Sequence, residues 1–283
     1  MSLVVEPVHP EFAAAVSGVD LTQPVDTDTK AELNRLWARY AVLVFRRQPL
    51  TPPQFMAAAE IFGTLWEQSL KQFTLPDFPL VGFNSTRDLP LKDGKLQVRG
   101  ENFHTDHSNY LAPPKATSLV AVKLPSQGGD TQFVDVRWAY DELPLATKAR
   151  ILGLRSPHGY ESSNSPRQFA RLDPAQLAKV PVTKQPIVIR HPVNGRSALY
   201  LNTGRMEGID GMERDEGFVL VNDLYDHATQ ARYEYRHRWA VGDLVIWDNR
   251  SVMHQANADY DPKDERYLYR IMLAGQPLDP AAA

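Results

Sequence analysis

The sequence contains no cysteine. Disulfides, zinc–thiolate centres, iron–sulfur clusters and a thiol nucleophile are thereby excluded, and any metal must be held by nitrogen and oxygen. Long apolar runs are missing too, none approaching the roughly 18 residues of a membrane-spanning helix. The first residues, MSLVVEPVHPEF, offer neither the basic start nor the apolar stretch of a secretory leader. Charge of one sign is also lacking: 31 Lys and Arg face 34 Asp and Glu, for a formal net charge of −3. Nothing in that balance attracts nucleic acid or an anionic membrane surface. These absences predict a soluble, cytoplasmic protein with no nucleic-acid or membrane partner.

What is present suits one large domain spanning 1–283, with 43% hydrophobic and 10% aromatic residues. Residues 28–40 carry Leu33, Leu36, Trp37 and Tyr40 at helical spacing, and TPPQFMAAAEIFG at 51–63 reads as a helix bounded by Thr-Pro and Gly. Further helices are expected near 138–152 and 214–229. The remainder reads as short strands: 41–47, 79–85, 101–106, 116–124, 131–136, 185–191, 196–202, 233–239, 243–249 and 266–273. Such a series, punctuated by Gly and Pro, predicts a mostly-β fold with flanking helices, either a sandwich or a jelly-roll barrel. The polar, Pro-bearing segment 162–184 is an ordinary surface insertion or a lid over an active-site mouth.

The chemistry begins at ENFHTDHSNY, residues 101–110. On a strand, His104 and Asp106 project from one face, and their nitrogen and oxygen suit a divalent metal. By itself H-x-D is a common chance pattern. A third ligand is offered by His254, which ends the run GDLVIWDNRSVMH at 242–254, where an apolar strand turns polar. Two histidines and one carboxylate leave open positions and match the arrangement of non-haem Fe(II) oxygenases. A zinc hydrolase with the same ligands, or a non-catalytic jelly-roll binding protein, stays open at this point. His107 falls on the opposite strand face, as packing or support for the site. His191, His227 and His237 read as structural or solvated, and His9 and His158 carry no signal.

Two anion-binding candidates follow. Arg266 and Arg270 lie four apart with Leu268 between them, hence on one strand face. Either both are exposed on an edge strand or both face inward, and burying two guanidiniums requires carboxylate partners, which the planar fork grips in bidentate fashion. In PSQGGDTQF, 125–133, a Gly-Gly turn feeds a strand opening at Thr131, whose hydroxyl can donate to a carboxylate.

Taken together, H-x-D at 104–106, GGDT at 128–131, GDLVIWDNRSVMH at 242–254 and Arg266 twelve residues beyond His254 resemble a known family. It comprises the Fe(II)/2-oxoglutarate-dependent dioxygenases of the taurine dioxygenase and 2,4-dichlorophenoxyacetate dioxygenase type. AVSGVDLTQPV and VLVFRRQPLTPPQF near the start are similar to it as well, so the likeness runs along nearly the whole chain. The resemblance implies a double-stranded β-helix, or jelly roll. It implies Fe(II) on His104, Asp106 and His254, with 2-oxoglutarate and O2 as co-substrates. Thr131 and Arg266 then hold the distal carboxylate of 2-oxoglutarate, and Arg270 meets the anionic group of the substrate. Lys71 lies in a stretch that lines the substrate cavity in such relatives; it is either a second cationic contact or a solvated lysine. Trp247 and Asn249 support the site. The implied reaction hydroxylates a small organic anion, a sulfonate or a carboxylate such as an aryloxyalkanoate, releasing succinate and CO2. The stretch LKDGKLQVRGENF before the first histidine matches neither named relative clearly, so the choice among anions stays open. A homo-oligomer, dimer or tetramer, is expected by analogy alone.

Overall fold

The computed structural model describes residues 2–67, 71–87, 91–92, 95–96, 98, 100–166 and 172–282. Its frame is a long sheet with strands paired in the order Val4–His9, Ala13–Ser17, Val42–Phe45, Leu244–Asp248, Ala116–Lys123, Tyr267–Leu273, Phe78–Ser85 and Thr74–Leu75. Leu65–Trp66 adds to it by pairing with Tyr267–Leu273. Ala13–Ser17 and Val42–Phe45 run parallel because the helix Thr27–Tyr40 crosses over between them. A second sheet holds Glu234–His237, Thr131–Asp135 and Val252–Ala256. The result is a mostly-β jelly roll with helices outside.

Alternation along the strands explains the layering. Val42, Val44, Val245, Trp247, Leu119, Ala121 and Leu268 point between the sheets, where they meet Phe133 and Val252. Their neighbours Leu43, Phe45, Leu244, Ile246, Val120, Ile271 and Leu273 point outward, under the helices Thr27–Tyr40 and Pro52–Glu60. That is why Val42–Phe45 is apolar at every position: both of its faces are covered. Truncating a buried residue such as Trp247 to Ala in a core of this kind costs about 3–5 kcal/mol. Both helices begin where the sequence signals them. Asp26 accepts from the Thr29 backbone N–H at 2.9 Å, and Gln54 returns to the Thr51 N–H at 3.0 Å.

Two expectations need correction. Residues 101–106 form no strand; the segment makes a single β-bridge, at His104, and then turns through Asp106–Tyr110. The helix expected over 138–152 is two, Val136–Asp141 and Leu145–Ile151, because Pro144 disfavours helical backbone at Leu143 and supplies no N–H. Within 162–184, residues 167–171 lie outside the described residues. The described part holds the short helix Pro174–Leu177 and is tied to the turn at Asn109, whose amide donates to the Pro181 carbonyl at 3.2 Å and whose carbonyl accepts from Thr183 at 2.8 Å. Among the described residues, no helix is long and apolar enough to cross a membrane.

Candidate active site

His104 and His254 are cross-strand partners. The His104 N–H donates to the His254 carbonyl at 3.0 Å and the reverse bond measures 2.9 Å. Residues exchanging both bonds project to the same side, so the ring centroids come within 4.3 Å. Asp106 swings in from the following turn. His104 Nε2 lies 3.9 Å from one Asp106 oxygen and His254 Nε2 lies 3.8 Å from the other. Gly100, at φ +77°, allows the close fit, since a Cβ there would sit 2.7 Å from His104 Cε1.

Protonation favours a cation. His104 Nδ1 is 2.8 Å from the Asn102 carbonyl oxygen, which can only accept, so Nδ1 holds the proton and Nε2 presents its lone pair. Burial, with His104 and Arg270 close by, keeps His254 well below the usual 6.5, hence neutral. Burial by itself opposes charge on Asp106, yet the Arg270 guanidinium, 2.7 Å away, holds its carboxyl well below the ordinary carboxylate range. Ligand atoms from all three residues lie within 4.8 Å of one another. Separations of 3.8–3.9 Å are too long for hydrogen bonds, but one ion between such a pair can sit about 2.0–2.2 Å from both atoms, the range of metal–ligand bonds. The residues therefore fit a divalent metal. Two neutral imidazoles and a carboxylate leave several positions open, as non-haem Fe(II) chemistry requires.

A hydrogen-bonded row steadies Asp106 from behind. Trp247 Nε1 donates to Asn249 at 3.0 Å, Asn249 Nδ2 to Thr117 at 3.1 Å, and Thr117 to Asp106 Oδ2 at 2.6 Å. Support by Trp247 and Asn249 was legible in the sequence; Thr117 was not. Its signal is a single hydroxyl on the otherwise apolar inward face of its strand, directly opposite Trp247.

Beside this group stands a buried cation. Arg266 is 5% exposed, and among the described residues no carboxylate lies within ion-pair distance of it. Its Nε donates to the Gly129 carbonyl at 2.7 Å and its Nη2 to the Thr131 hydroxyl at 3.3 Å. Burial pushes the guanidinium down to about 10. Gly129, at φ +71°, takes a backbone conformation that side chains rarely adopt, and a Cβ there would press on Arg266 Cδ at 3.1 Å. Thr131 shares a strand face with Phe133, and Phe133 is opposite His254 in the ladder, so Thr131 and the metal ligands address the same interior. A buried guanidinium with donors to spare is costly without an anion, and the carboxylate of a keto acid fits it.

Arg270 shares the inward strand face with Arg266 and lies 2.7 Å from Asp106 Oδ1. The side chain of Lys71 lies outside the described residues. His107 departs from expectation: at φ 48° it leaves the alternation of a strand, and its ring meets Trp66 edge-on at 4.9 Å. Burial and Arg270 push it down to about 3, so it is neutral. The other histidines are structural. His191 pairs with Asp248 at 2.9 Å, His227 meets the Ala139 carbonyl, and His237 is fully buried. His158, buried against Ser108, stays neutral with its pKa pushed to about 3.

Comparison with known proteins agrees with this geometry. The family profile "Taurine catabolism dioxygenase TauD, TfdA family" matches residues 5–272. The alpha-ketoglutarate-dependent 2,4-dichlorophenoxyacetate dioxygenase of Cupriavidus pinatubonensis is 36% identical over 95% of this chain and 97% of its own. An alpha-ketoglutarate-dependent sulfate ester dioxygenase of Pseudomonas putida is 31% identical over 98% of this chain and 91% of its own. A crystal structure of AAD-2 in complex with Mn(II) and N-oxalylglycine superposes with a TM-score of 0.84 at 32% identity, covering 100% of both chains.

Proposed function

This chain belongs to the TauD/TfdA family of dioxygenases, and from that premise we propose how its own residues carry out the family's reaction on a small organic anion. The protein is an Fe(II)- and 2-oxoglutarate-dependent dioxygenase. When bound, the iron supplies the activation of O2 that couples decarboxylation of 2-oxoglutarate, to succinate and CO2, with hydroxylation of a substrate C–H bond. His104, Asp106 and His254 hold it. Arg266 and Thr131 take the distal carboxylate of the keto acid, so that its keto-acid end faces the metal. Arg270 takes the anionic group of the substrate and sets which C–H bond lies over the reacting centre. The row from Trp247 to Thr117 keeps Asp106 oriented through the cycle.

The observation that carries this reading is Arg266: a buried guanidinium without a carboxylate partner among the described residues, placed beside a ready set of metal ligands. For the substrate we propose an aryloxyalkanoate, a sulfonate or a sulfate ester. All present a delocalised anion to Arg270 and a carbon bearing hydrogen next to a heteroatom. Hydroxylation at that carbon gives an adduct that collapses to a carbonyl compound. The test is succinate release with Fe(II), ascorbate and O2 across a panel of such anions. Release above a His104→Ala control is expected, and it should rise with the right anion. No release from any member of a broad panel would overturn the reading.

A further inference from the structure

We propose that Trp239 is a positioning residue for the co-substrate, its indole N–H committing the Thr131 hydroxyl to donate to the distal carboxylate of 2-oxoglutarate. This inference rests on the reading that Thr131 and Arg266 hold that carboxylate.

A threonine hydroxyl has one proton and two lone pairs, and left alone it rotates to serve as donor or acceptor. At Thr131 both lone pairs are engaged. Trp239 Nε1 donates to Oγ1 at 3.0 Å, and Arg266 Nη2 donates at 3.3 Å. Indole and guanidinium N–H groups cannot accept, so neither can receive the threonine proton in return. The side chain is 2% exposed, and its hydroxyl donates to none of the described residues. The proton is thus left to point away from both donors, where only an acceptor is satisfied. Trp239 converts an ambiguous group into an obligate donor, and an anion is what an obligate donor selects.

The indole is itself held in place. Its ring meets His237 edge-on, with centroids 4.5 Å apart and planes at 86°. His237 is the ladder partner of Thr131 on the neighbouring strand. Its own ring is pinned by the Tyr235 hydroxyl, 3.1 Å from Nδ1, and by Asp243, 3.4 Å from Nε2. Rigid support behind a hydrogen-bond donor is what turns a contact into preorganisation, since the rotor is fixed before the ligand arrives.

The test compares two keto acids on the Mn(II)-loaded protein by calorimetric titration. 2-Oxoglutarate carries the distal carboxylate; 2-oxopentanoate has a methyl group in its place. Trp239→Phe keeps a ring against His237 and removes only the N–H. It is expected to weaken 2-oxoglutarate about three- to tenfold, the worth of one neutral hydrogen bond, and to leave 2-oxopentanoate unchanged. In turnover the loss should fall on the KM for 2-oxoglutarate rather than on kcat. In a Thr131→Val background, Trp239→Phe should add nothing further. Equal weakening of both keto acids would show a merely structural role and overturn the proposal. So would an unchanged 2-oxoglutarate affinity in Trp239→Phe alongside a loss in Thr131→Val. If Thr131→Val and Arg266→Ala both bind 2-oxoglutarate normally, the co-substrate reading itself falls, and this inference with it.

Discussion

Arg270 and Arg266 show how little of a residue's role lies in its type. Both are inward-facing on one strand, four positions apart, yet they meet different partners. Among the described residues the Arg266 side chain donates to the neutral oxygens of Gly129 and Thr131, whereas Arg270 lies against the Asp106 carboxylate at the edge of the metal group. Arg270→Ala is therefore expected to raise the KM for the organic anion more than tenfold, the loss of a charge-assisted hydrogen bond. The KM for 2-oxoglutarate should stay within about twofold. Steady-state kinetics varying each substrate in turn settle it, and the opposite split would mean that the two arginines exchange roles. At this scale spacing and local pattern marked His104, Asp106, His254, Thr131, Arg266 and Arg270 as candidates, and the family resemblance gave them their expected roles. Thr117 and Trp239 escaped it. Each acts by a hydrogen bond across the fold, to Asp106 and to Thr131, and partners from distant parts of the chain leave no mark in either segment.

Among elements, the turn 248–251 after the strand Leu244–Asp248 is tied by several side-chain hydrogen bonds. Asp248 accepts from Arg250 Nε at 2.9 Å and Nη2 at 2.6 Å, and from His191 at 2.9 Å, all in the interior. Burial opposes its charge, but Arg250 and His191 hold the carboxyl far below its usual 3.8. A carboxyl depressed on folding contributes stability that is present above the unfolded value and fades as the pH falls toward the folded one. Asp248→Asn, which strands a guanidinium, should cost about 3–5 kcal/mol near neutral pH. Urea unfolding should show that gap narrowing between about pH 5 and pH 3. A pH-independent gap would mean the charge is not what matters. Elements were read well where both faces are covered or one strictly alternates: 116–124, 131–136, 243–249 and 266–273 all appear as strands within a few residues. They were misread at 101–106 and 138–152. In the first, the i, i+2 spacing of His104 and Asp106 falls on a loop that pairs at one point; in the second, one proline outweighs helical spacing.

Across the whole molecule, the metal ligands come from a turn after residue 100 and a strand near residue 254, joined only through the closed sandwich. A divalent ion then binds the folded state and not the unfolded chain. At a hundredfold excess over its dissociation constant it adds about 2.7 kcal/mol, a rise in Tm of about 5 °C for a chain of this size. Thermal melts with Mn(II) should show that rise, and His104→Ala should lack it. The mutual backbone bonds of His104 and His254 carry a further consequence, for biosynthesis. While a ribosome is still adding the 149 residues between them, His104 and Asp106 lack the second imidazole, and the ligand set is incomplete. His254 lies in about the last tenth of the sequence, so the full ligand set comes together only after nearly all of it has been made and the closing strands have zipped.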